Sequence, residues 1–140
     1  MTVRIAAIVV SLGLILCAMP LLAHHSMSSE FDTSRTATMI GTITKIDWTN
    51  PHIWIYLSVK DADGKAVEWG VEGAGPNSLH VAGIDKSLLK PGDRVTVEFY
   101  AAKNGSRRGG GQMLTLPDGR KLDIHDRWSE RSAPAAAPGR

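Results

Sequence analysis

The chain reads as mainly β: a small five- to six-stranded OB-like barrel with one short helix, preceded by a signal helix. Three observations predict this. Short runs of alternating apolar and polar residues recur along the middle of the chain, turn sequences rich in Asp, Pro and Gly separate them, and one helical turn interrupts the series after the third run. At 140 residues there is room for one core. That length and composition exclude a multidomain enzyme, a polytopic membrane protein, a disulfide-stapled miniprotein and a long coiled coil.

Residues 1–23 have the anatomy of a secretory signal. Arg4 is the lone charge of a short n-region, Ile5 to Leu22 is apolar or small, and Pro20 breaks the helix before Leu21-Leu22-Ala23. This segment holds 18 of the apolar residues and leaves 42 in the other 117, about 36%, a modest share for a self-supporting domain. Cleavage near Ala23 predicts a bacterial periplasmic or secreted protein. If the helix is retained, it becomes a membrane anchor. Cys17 leaves with the signal, so the mature chain has no thiol for disulfides, metal ligation or catalysis.

Residues 24–36 are expected as a polar arm, 37–126 as the barrel and 127–140, rich in Ala and Pro, as a disordered tail. Met39 to Trp48 forms the first strand, with Gly41 available for a bend or bulge. Next comes His52 to Lys60, in which Ile53, Ile55, Leu57 and Val59 alternate with polar or aromatic residues. Val67, Trp69 and Val71 alternate in the third strand. All these core residues have odd numbers, so facing pairs must sum to an even number. A three-residue loop, Ala62 to Gly64, satisfies this and puts Gly64 in the left-handed position. Val59 then faces Val67, Leu57 faces Trp69, Ile55 faces Val71, Tyr56 faces Gly70 and Trp54 faces Glu72.

Pro76 to Ala82 reads as the short helix, ended by Gly83. Leu89 to Asp93 turns into a strand from Arg94 to Tyr100, and Pro117-Asp118-Gly119 separates Met113–Leu116 from Lys121–Ile124. Lys103 to Gly111 reads as a mobile, solvated loop.

Two groups of residues carry candidate chemistry. Cleavage after Ala23 exposes the α-amine of His24 beside the imidazoles of His24 and His25. With His52 at the start of a strand, these nitrogens suit copper or another divalent metal. The bland alternative is a soluble arm and a histidine that only hydrogen-bonds a neighbour. The other group is the outward face of the central hairpin, where Trp54, Tyr56, Glu68 and Glu72 form an aromatic and acidic platform for a ligand. Its alternative is cross-strand packing alone. No catalytic residue emerges: Ser26 and Ser78 lack the context of a nucleophile, and no carboxylate pair is tied to a cleft. With 16 basic and 14 acidic residues the chain is nearly neutral, which disfavours nucleic acid as a partner.

His24-His25-Ser26, Phe31-Asp32, Trp48-Thr49-Asn50-Pro51-His52, Asp61 to Gly64, Leu89 to Asp93 and Leu116 to Gly119 together resemble a domain-of-unknown-function family of small exported bacterial proteins. The resemblance covers roughly residues 24–124. It implies export and a compact β-barrel, and it brings no activity with it. The residues themselves lead to a periplasmic binding protein, with copper as the sharpest ligand. The alternative is an interaction module whose Trp54/Tyr56 face meets an envelope protein or glycan.

Overall fold

The computed structural model describes residues 27–125. Its elements in chain order are α1 (Met27–Glu30), β1 (Phe31–Asp47), β2 (Trp54–Lys60), β3 (Ala66–Glu72), α2 (Pro76–Val81), a single 3₁₀ turn (Lys86–Leu88), β4 (Arg94–Ala102), β5 (Arg108–Thr115) and β6 (Lys121–Asp123). The sheet runs β3-β2-β1-β4-β5-β6, and a parallel pairing of β3 with β5 closes the first five strands into a barrel. Closure removes the open edges that a flat five-stranded sheet would expose. The fold is therefore mainly β, with β6 an extra strand outside the ring. The signal-like segment, His24, His25 and the tail from 127 lie outside the described residues.

The β2–β3 hairpin has the register that the odd-numbered alternation requires. Leu57 faces Trp69, Tyr56 faces Gly70 and Trp54 faces Glu72. Its loop is closed by hydrogen bonds from the Asp61 N–H to the Lys65 carbonyl and from the Gly64 N–H to the Asp61 carbonyl. Gly64 has a φ of 78°, the left-handed conformation that a Cβ would penalise. Ile53, Ile55, Leu57 and Val71 from this hairpin are fully buried with Val95, Val97, Leu114 and Ile124. Each such side chain contributes about 1.5–3 kcal/mol on leaving water. Leu79 of α2 is buried against the same cluster.

Three expectations need correction. The first strand begins at Phe31, not Met39: Phe31 is buried and pairs with Ala102, and Thr36 to Thr42 pair along β4. The outward residues of this stretch are polar and its inward ones few, so alternation does not betray it. The bulge falls at Thr44, between Ile43 facing Leu57 and Lys45 facing Tyr56. Gly41 serves close approach, since a Cβ there would lie 2.9 Å from Val59 Cγ2 and 3.1 Å from Ser58 O.

The third correction matters most. Gly109, Gly110 and Gly111 are buried strand residues within β5, not part of a mobile loop. Gly109 and Gly110 form the barrel's seam with Arg108, pairing with Val71 and Glu72, and Gly111 follows next to it. A Cβ at Gly109 would collide with the Phe99 ring, and one at Gly110 with Met27 and Phe31. The missing side chains make room for Phe99, Phe31 and Met27 to pack directly against the strand backbone.

Candidate functional site

The outward face of the hairpin is built by alternation. On β2, Trp54, Tyr56, Ser58 and Lys60 point away from the core, and on β3 Ala66, Glu68 and Gly70 do the same. The Thr44 bulge shifts β1 by one residue, so that Lys45 and Asp47 join this face opposite Tyr56 and Trp54. The Thr44 hydroxyl donates to the Tyr56 carbonyl at 3.2 Å, tying down the bulged residue.

At the seam, β5 brings two arginines to the same face. Gly70 pairs with Tyr56 on one side and Arg108 on the other, and its N–H donates to the Arg107 carbonyl at 3.0 Å. Trp54, Tyr56, Glu68, Gly70, Arg107 and Arg108 line a groove of about 350 Å³. Gly70 is its floor. A Cβ there would touch the Trp54 and Tyr56 rings at 3.4–3.7 Å and begin to fill the groove.

Arg108 is held on two sides. Its guanidinium carbon lies 4.4 Å from the Trp54 ring centroid, a cation–π geometry, and its Nη1 is 2.9 Å from Glu30 Oε1. Glu30 ends α1, which Lys103 also holds by donating from Nζ to the Ser28 carbonyl at 2.7 Å. Lys45 lies 5.1 Å from the Tyr56 ring centroid and donates to Asp47 at 2.8 Å. That hydrogen bond holds the lysine above its ordinary pKa and the aspartate below its own. Arg107 makes no ion pair among the described residues.

Among the residues expected to bind a ligand, Trp54, Tyr56 and Glu68 share this groove. Glu72 is directed elsewhere: its Oε1 is 2.5 Å from His52 Nδ1, with the two side chains 14% and 19% exposed. Of the expected metal ligands only His52 is described, and His24 and His25 are not. Among the described residues no group of three or more His, Cys, Asp and Glu could hold a metal ion. His80 pairs with Asp85 at 3.0 Å on the surface. Arg107 and Arg108 are the site residues that sequence reasoning left in a loop. The signal that could have found them is the OB order itself, in which the last barrel strand lies beside the third.

No helix among the described residues is long and apolar enough to cross a membrane. No curated protein and no solved structure matches the chain. Residues 11–112, well over half of the sequence, match a family of unknown function, DUF6152. The small barrel with its aromatic and arginine-lined groove is thus a member of the DUF6152 family.

Proposed function

We propose that the protein is an exported, non-catalytic binding module that receives its ligand, an envelope glycan or protein segment, in the Trp54–Tyr56 groove. The observation that carries this reading is the groove formed by the Trp54 and Tyr56 rings around Gly70, with a carboxylate at Glu68 and guanidinium groups at Arg107 and Arg108. Aromatic faces supply stacking area at low entropic cost, and the flanking charged groups supply orientation.

A panel of soluble glycans and peptides, titrated into isotope-labelled protein, tests this. Shifts should concentrate on the Trp54 indole N–H and the Gly70 and Arg108 amides, and Trp54→Ala should abolish them without unfolding the barrel. Ligands that bind only elsewhere, or bind Trp54→Ala equally well, refute it.

A second reading keeps copper or another divalent metal, held by His24, His25 and His52. The carboxylate on His52 Nδ1 supports it, because such a contact orients an imidazole that ligates through its other nitrogen. Cu(II) titration of the chain beginning at His24, against one carrying an extra N-terminal residue, decides the matter. Equal, weak binding by both removes the amine ligand and the reading with it.

A further inference from the structure

A second groove lies on the same face, about 250 Å³ in volume, bordered by Thr42, Ser58, Lys60, Ala66 and Arg94 together with Ile40 and Gly41. Thr42 faces Ser58 on one side and Arg94 on the other, so two hydroxyls stand between two cations. Neither Lys60 nor Arg94 makes an ion pair among the described residues. Ile40, beside them, is 52% exposed.

The two grooves run end to end along β2 and β3. On β2 the outward series is Trp54, Tyr56, Ser58, Lys60, and on β3 it is Gly70, Glu68, Ala66. Arg108 pairs with Gly70 and Lys60 with Ala66, so the two cationic ends flank β3 on opposite sides and are offset by four of its residues, about 13 Å along the strand direction. Between them lie the Tyr56 ring, the Ser58 hydroxyl and the Glu68 carboxylate. Lys45 and Arg108 are already matched by Asp47 and Glu30, which leaves Lys60, Arg94 and Arg107 against Glu68. The surplus positive charge is at the ends, and Glu68, which makes no ion pair among the described residues but lies within the field of Lys45, is the carboxylate in the middle.

Resting on the binding reading above, we infer that this continuous track takes an acidic glycan in which carboxylated and neutral sugars alternate, with Lys60 and Arg94 forming a second anionic-sugar subsite. Carboxylates meet the cations at either end, and a neutral, hydroxyl-rich sugar lies over Tyr56 and beside Glu68. A single-stranded nucleic acid fits less well, because its unbroken row of phosphates sets one against Glu68. An extended peptide lacks a strand to join at the platform, since β2 is paired on both sides.

The test is calorimetric titration of the full chain with hyaluronan oligosaccharides, whose uronic acids alternate with neutral amino sugars. A hexasaccharide should bind, its carboxyl-reduced form should bind at least tenfold more weakly, and Lys60→Ala/Arg94→Ala should lose about five- to tenfold, as expected for two exposed ion pairs. A disaccharide should be insensitive to that double substitution. If Trp54-dependent binding of a glycan survives while Lys60 and Arg94 have no effect, the second subsite is refuted and the groove reading stands. Tighter binding of oligothymidylate or polyglutamate than of the hexasaccharide overturns the glycan assignment.

Discussion

Replacing Gly111 by alanine adds one methyl group at the barrel seam, where the structure leaves no room for it. The new Cβ would lie 2.6 Å from Ile124 Cδ1, 2.9 Å from Val71 Cγ1 and 3.0 Å from the Glu72 carbonyl oxygen. The Ile124 methyl can swing away, but Val71 is stiff about its χ1 and Glu72 O belongs to the seam backbone. Overpacking of this kind costs about 1–3 kcal/mol. Loss of glycine's freedom in the unfolded chain returns about 0.4–1 kcal/mol. The net destabilisation is about 1–2 kcal/mol, or roughly 4–15 °C in Tm for a domain of this size. Urea unfolding followed by tryptophan fluorescence and circular dichroism reads it as a lower midpoint at an unchanged slope. Gly70→Ala is the control, with nearest contacts of 3.4 Å, and it should stay within about 0.5 kcal/mol of the parent. A Gly111→Ala protein as stable as the parent refutes the claim that absent side chains let the barrel close.

Three further outcomes follow from the contacts described. Arg108→Ala removes both the Trp54 stack and the Glu30 ion pair, and should cost no more than about 1–2 kcal/mol because all three groups are partly solvated. Hydrogen exchange at Glu30 should accelerate, and unchanged protection there argues against Arg108 as a clasp on α1. Asp118 accepts hydrogen bonds from the Arg120 N–H at 3.0 Å and its guanidinium at 2.8 Å, and these, the backbone bond first, hold its pKa below the ordinary aspartate value. Its stabilising contribution is therefore complete above the ordinary aspartate pKa and disappears as pH falls through the lowered one. Asp118→Asn should flatten that part of the acid limb of the stability profile, and an unchanged limb counts against the assignment. Glu72→Ala deprives a largely buried imidazole of its carboxylate partner and should lower stability by about 1–2 kcal/mol in urea titrations, whereas a neutral effect means that the pair carries no net energy.

The β2–β3 hairpin was legible residue by residue. Two strands with the same odd parity, joined by a turn of known handedness, admit only a loop of odd length. The platform of Trp54, Tyr56 and Glu68 follows from that register alone. Gly109 to Gly111 were opaque for a physical reason: a strand is recognised by what its side chains do, and these residues have none. Their strand character is imposed by Phe99, Phe31, Val71 and Ile124, which occupy the space above them. Because those glycines read as a loop, Arg107 and Arg108 were not assigned to the groove. The Thr44 bulge was written in the pattern, since the inward apolar residues step by two to Ile43 and then by three to Ile46, but the glycine at 41 drew the irregularity to itself. The carboxylate on His52 depends on Glu72 turning toward the strand's beginning, and alternation says nothing of side-chain direction within a face.

The seam has a kinetic consequence. The β2–β3 hairpin joins residues near in sequence, whereas pairing Gly70 with Arg108 closes a segment of 38 residues by way of only three register pairs. Local pairings of this kind form within microseconds, while a long closure must first overcome chain entropy before few contacts reward it. The ring should therefore shut after the rate-limiting barrier. On a chevron plot Gly111→Ala should then steepen nothing and raise mainly the unfolding rate, while Leu57→Ala in the hairpin should slow folding as well. The residues that make the structure a barrel would set how long a molecule stays folded, and the hairpin that carries the candidate site would set how fast it forms.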